Sequence, residues 1–133
     1  MRHVVTTNRA PAAIGPYSQA IVANGFVFCS GQIALDPETG SIVGGDVREQ
    51  AVRVMENLAT VLSAASSGFQ YAVKTTIYLK SLGDFGVVNE VYARYVGAEP
   101  PARATVEVSR LPKDVLVEID MIAVVAHAIT PSP

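Results

Sequence analysis

Arg103, Thr105, Glu107 and Ser109 recur at every second residue of "PPARATVEVSRLPKDVLVEID", residues 100–120, and Glu118 and Asp120 follow after a turn. Side chains spaced by two stand on one face of a strand, with the apolar residues between them on the other. Read as a hairpin about a Pro112-Lys113 turn, the segment sets Thr105 against Asp120, Glu107 against Glu118 and Arg103 against Ile122. Ala102, Ala104, Val106 and Val108 then point the other way, toward a core. Two readings of the charged face stand on spacing alone. It is a solvated face laced with cross-strand ion pairs, each contributing about 0.2–1 kcal/mol, or it packs against another subunit. Two directly opposed acids, Glu107 and Glu118, repel and favour the second.

The remaining chemistry-bearing residues lack partners in sequence. Cys29 alternates within a strand-like run and has no histidine near it, so packing is favoured over a nucleophile. His3 and His127 lie near the termini without ligand-spaced partners, and no metal site is expected. "NGF" and "SGQ" are glycine turns outside any Walker or dinucleotide pattern. Tyr92 and Tyr95 at helical spacing read as core or subunit contacts rather than base-stacking residues. Ten Lys plus Arg against twelve Asp plus Glu give a formal charge of -2, and no basic stripe is visible, which counts against nucleic acid as a partner.

Half of the 133 residues are hydrophobic, enough for one domain with a packed core. No apolar run reaches the ~18 residues of a membrane span. The start "MRHVVTTNRAPAA" lacks an apolar signal region, and one cysteine suits a reducing compartment, so a cytoplasmic location is expected.

These residues must be positioned by a small set of elements. Residues 1–16 read as an extended N-terminal arm and 127–133 as a frayed tail of a single domain, 1–133. Asn24-Gly25 between two β-prone runs marks a hairpin, since both residues tolerate positive φ. Asp46 caps a helix through "DVREQAVRVMENLATVLSAASSG", with Glu49 completing a capping box, an apolar stripe from Val47 to Ala65, and Gly68 as its stop. "YAVKTTIYLKSL" is a strand with Val73, Thr75, Ile77 and Leu79 on one face and Lys74, Thr76, Tyr78 and Lys80 on the other. "DFGVVNEVYARYVG" is a shorter helix with Phe85, Val88, Val91, Tyr92 and Tyr95 inward. Strand, strand, helix, strand, helix, strand, strand predicts an α+β two-layer sandwich: one mixed sheet with both helices on one face. The other face is left uncovered, and the charged residues of the opening stretch are placed on it.

"IGPYSQA", "FCSGQIALDPETG", "VKTTIYL", "VNEVYARY" and "PPARATVEVSRLPKDVLVEIDMIAV" together resemble the RidA/YjgF family of reactive-intermediate deaminases, in order from about residue 10 to residue 125. The resemblance implies a chorismate-mutase-like fold, a homotrimer whose sheets face inward, and sites in clefts between subunits. It implies hydrolysis of short 2-imino or enamine acids, such as 2-aminoacrylate, 2-iminopropanoate and 2-iminobutanoate, to 2-keto acids and ammonia, without metal or cofactor. Carried over by motif, the catalytic residues are Arg103, which holds the substrate carboxylate, Glu118, which directs the attacking water, and Tyr17, while Ser30 and Gly31 line the pocket. Thr105 stands where the family often has cysteine, and its backbone amide serves equally. A guanidinium fork suits a planar carboxylate, and a half-buried carboxylate suits proton transfer from water. Two other functions remain: a trimeric protein that binds keto or amino acids without turnover, for which a water-directing acid is unnecessary, and RNA cleavage.

Overall fold

The structure, a computed structural model, describes residues 1–126; the tail 127–133, His127 included, lies outside them. Its strands are β1 (Arg2–Val5), β2 (Ala20–Ala23), β3 (Phe26–Gln32), β4 (Ala72–Leu79), β5 (Ala102–Glu107) and β6 (Val117–Val124). Its two α-helices are α1 (Val47–Ala64) and α2 (Phe85–Val96). The six strands form one mixed sheet in the order β1-β2-β3-β6-β4-β5, in which only β4 and β5 run parallel. Both helices cover one face of it, as the element pattern predicts. Among the described residues no helix is long and apolar enough to cross a membrane.

Local signals set the elements. Asn24 (φ 51°) and Gly25 (φ 80°) make the tight turn between β2 and β3. Asp46 caps α1, its carboxylate accepting from the Glu49 amide at 3.0 Å. The helix stops at Ser66 rather than Gly68: Ser66 takes the left-handed turn at φ 59°, and the Ser67 amide returns to the Leu62 carbonyl. The buried stripe of α1, centred on Val54, Met55, Leu58, Val61 and Leu62, packs with Val88 and Val91 of α2 against Val27, Ile77, Leu79, Ile119 and Met121 of the sheet.

Three expectations need correction. The N-terminal arm is extended but also contributes a strand that the element order lacked, because Arg2–Val5 pairs with β2 as an edge strand. The rest of it is tied to Gln19, whose side-chain oxygen accepts from the Thr7 amide and whose nitrogen donates to the carbonyls of Thr7 and Pro11. Second, residues 100–120 are not a hairpin, since β4 lies between β5 and β6. The connection straddles the end of β4, the Val108 amide donating to Leu79 and the Lys80 amide to Leu116, and left-handed Lys113 and Asp114 reverse the chain. The central position buries Val117, Ile119 and Met121 completely or nearly so, contributing about 1.5–3 kcal/mol each, which an edge strand could not match.

The third correction follows from the second. Partners across a parallel pair share a face, and Thr75, Ile77 and Leu79 lie opposite Arg103, Thr105 and Glu107. Arg103, Thr105 and Glu107 therefore stand on the helix face, while Ala102, Ala104 and Val106 join Lys74, Thr76 and Tyr78 on the open one. Glu107 does not oppose Glu118. Its carboxylate accepts from the Leu82 amide at 2.9 Å and fixes the turn before α2. Glu118, Asp120 and Ile122 are on the open face as predicted, beside the exposed rings of Phe26 and Phe28.

Asn57 is 0% exposed and ties α1 to the chain leaving β3. Its amide donates to the carbonyls of Ile33 and Leu35, and its oxygen accepts from Arg53. Asn57→Ala strands these groups and opens a cavity, so unfolding in urea at fixed protein concentration should become easier by about 2–4 kcal/mol. A loss below about 0.5 kcal/mol would show that the tether contributes nothing net.

Candidate functional site

Glu118 projects from β6 across Gly31 of β3. The pairing of these strands shifts register between Cys29 and Gln32, which brings Gly31 beneath the carboxylate. A Cβ on residue 31 would collide with the Glu118 carboxylate where it stands, so a larger residue there would displace that side chain from its place. Ser30 anchors the other wall: its hydroxyl donates to the Ser18 carbonyl at 2.6 Å, and its amide donates to the Gln19 carbonyl at 3.0 Å. These bonds hold the segment that carries half-exposed Tyr17 against β3. Ile14, Tyr17, Gly31, Pro112, Lys113 and Glu118 surround a cleft of about 380 Å³. Burial raises the Glu118 carboxyl above its ordinary pKa, and the negative charge of Asp120 adds to the shift. A raised carboxyl is a better proton acceptor when ionised than a free glutamate.

Arg103 stands elsewhere. Its Nη1 donates to Asn89 Oδ1 at 2.8 Å, and its guanidinium carbon lies 5.2 Å from the Tyr92 ring centroid and 5.5 Å from that of Phe85. Among the described residues no carboxylate lies within 4 Å of it. Arg48, Arg94 and Arg110, by contrast, hold Glu90, Glu90 and Asp114 at 3.3, 3.3 and 2.8 Å. A second cleft, about 420 Å³, opens beside Arg103 and is walled by Asn89, Tyr92, Ala93, Val96 and Pro100. Thr105, two residues along β5, keeps a buried hydroxyl without a hydrogen-bond partner among the described residues, as do Thr75 and Tyr92. Burial also raises the Tyr92 hydroxyl, with the nearby charge of Arg103 opposing the shift, so Tyr92 is neutral at physiological pH.

The residues expected at one site thus fall into two groups. Tyr17, Ser30, Gly31 and Glu118 come together on one part of the chain; Arg103 and Thr105 come together on another. The two clefts share no residue, and their charged groups stand on opposite faces of the sheet. Asn89, Phe85 and Tyr92 escaped the sequence reading as neighbours of the arginine. Their spacing of four and three does put them on one helix face, but only the parallel pairing of β4 and β5 brings Arg103 to that face. Cys29 faces the helices, 7% exposed, and burial with a smaller effect from Asp120 pushes its thiol up to about 12.

Residues 7–125 match the family model described as Endoribonuclease L-PSP. The chain is 54% identical over 122 residues to a RutC family protein of Pyrococcus abyssi, covering 92% of this chain and 96% of that protein. It is 47% identical over 124 residues to the 2-iminobutanoate/2-iminopropanoate deaminase of Mus musculus, covering 93% and 92%. A crystal structure of E. coli TdcF with bound serine superposes with a TM-score of 0.86 at 41% identity, covering 92% of this chain and 98% of that one.

A thiol at about 12 is almost wholly protonated at pH 8. Iodoacetamide should therefore alkylate Cys29 in the folded protein at least roughly 10²-fold more slowly than in urea. Equal rates in the two conditions would place the thiol in solvent.

Proposed function

The chain belongs to the Endoribonuclease L-PSP family, the RidA/YjgF proteins, and from that premise we propose that it hydrolyses short 2-imino acids to 2-keto acids and ammonia. The observation that carries the reading is Arg103, a cation held by an amide and two aromatic rings with no acid beside it among the described residues. A planar carboxylate supplies the missing charge through two parallel hydrogen bonds.

Glu118 and Arg103 lie in different clefts of one chain, so the proposal makes the site composite. The Glu118 cleft of one subunit abuts the Arg103 cleft of the next. A surface that meets a different surface is heterologous, and such contacts close into a ring when the rotation between subunits returns to its start. The ring of three implied by the motif resemblance would cover the open sheet face with its exposed Phe26 and Phe28.

In this arrangement Arg103 grips the carboxylate of the iminium substrate, and Tyr17 and Gly31 bound the space around its C2. Ionised Glu118 takes a proton from water as the water oxygen bonds to C2, giving a carbinolamine. The proton passes from Glu118 to nitrogen; Glu118 then takes the carbinolamine hydroxyl proton as the C–N bond breaks, so that the carbonyl forms and ammonia leaves, and that last proton departs with it as ammonium. One water is consumed per imine. The substrate is already electrophilic, so positioning and one base supply what the step needs.

A binder without turnover is the second reading, favoured by the serine held by the similar TdcF. Mixing subunits tests both. Arg103→Ala and Glu118→Gln should each lower kcat/KM about 10²–10⁴-fold while remaining folded. Unfolded together at equal concentration and refolded, they should regain activity, because about one cleft in four then joins an intact Arg103 to an intact Glu118. No recovery in verified mixed trimers would reject the composite site. Full activity of Glu118→Gln alone would remove the acid from the mechanism, and an inactive parent protein that still binds 2-keto acids would favour the binder.

A further inference from the structure

We infer that Asn89 is a positioning residue whose neutrality leaves the charge of Arg103 available to an anion. This deepens the proposed function and rests on it. Phe85, Asn89 and Tyr92 lie on one face of α2, and all three meet the same guanidinium: Oδ1 of Asn89 at 2.8 Å, the rings at 5.5 and 5.2 Å. A guanidinium has five N–H donors in a fixed plane. Asn89 occupies one nitrogen, and among the described residues no other side chain or carbonyl accepts from Arg103. The edge formed by Nε and Nη2 is left as a fork for a carboxylate.

None of the three groups carries a charge. Tyr92 is 3% exposed, and its raised hydroxyl stays protonated at physiological pH. The acid next in sequence, Glu90, is turned to the outer surface by Arg48 and Arg94, each at 3.3 Å. The helix therefore places an amide where an aspartate of the same size would fit, and occupies its neighbouring carboxylate elsewhere. An acid at position 89 would form the charge-assisted pair that a substrate carboxylate needs to form, and would compete with it for the guanidinium.

The test compares Asn89→Asp, Asn89→Ala and Arg103→Ala with the parent protein. Calorimetry would measure 2-ketobutanoate binding, and steady-state kinetics would follow hydrolysis of 2-iminobutanoate generated in place. Asn89→Asp should raise both the Kd and the KM about 10–100-fold with kcat within about threefold of the parent. Asn89→Ala, which only loosens the arginine, should raise them less, about threefold to tenfold. A structural role for Asn89 predicts the opposite order, since aspartate preserves its shape and alanine does not, and thermal midpoints would fall in parallel. Asn89→Asp behaving as the parent, or Asn89→Ala behaving worse than Asn89→Asp, overturns the inference. If Arg103→Ala loses binding while Asn89→Asp keeps it, this inference alone fails. If Arg103→Ala binds and turns over like the parent, the reading of the site fails with it.

Discussion

The insertion of β6 between β3 and β4 is the constraint on which the rest of the structure depends. One face of this strand supplies the centre of the core through Val117, Ile119 and Met121; the other carries Glu118 and Asp120. With both neighbours of β6 taken, β5 adds beside β4 instead, at the sheet's edge and parallel to it. That edge position leaves Arg103 between solvent and the flank of α2. The same strand, paired with β3 across its register shift, brings Glu118 over Gly31. Burying one apolar face thus places both charged groups, and separates them.

Features decided within a few residues were legible in the sequence. Asn24-Gly25 folds as a tight turn because its dihedrals are local, and Asp46 caps its helix because the accepted amide is three residues away. The alternation in β6 was also legible and is present as alternating burial, whereas β5, at the sheet's edge, is exposed at every residue except Thr105. What the pattern cannot contain is the identity of a strand's partner. A hairpin and a split pair with β4 between them satisfy the same alternation, yet they assign Arg103 to opposite faces. Long-range burial made that choice, through a central strand whose apolar face favours having neighbours on both sides. The hairpin pairing puts Arg103 and Thr105 on the wrong face, while Glu118 stands on the face that the alternation assigns it.

The surroundings of Arg103 make physical sense as a binding device. An unpaired guanidinium on a half-solvated edge costs little, because water still reaches its free side. The two rings contribute about 0.5–1 kcal/mol each by their faces and restrict the side chain to a slot, so less rotamer freedom remains to be lost when an anion arrives. A carboxylate neighbour would hold the arginine more strongly and leave it weaker toward a ligand. The three surface arginines that do have acids, Arg48, Arg94 and Arg110, serve to join helices or brace a turn.

Separation of the two charges also bears on how such a site could be assembled. If Glu118 and Arg103 met within one chain, they would pair with each other on folding, and a ligand would have to break that pair before binding. Held on opposite faces, neither can reach the other until a second surface arrives. A rigid contact between copies could then set their spacing to the width of a small ligand rather than to a hydrogen bond. The hydrolysis proposed above asks little more of the protein, since an iminium carbon accepts water readily once a base is near. This fits a fold that buries its thiol at about 12. It leaves a raised carboxyl and an unpaired guanidinium at the edges of its two clefts.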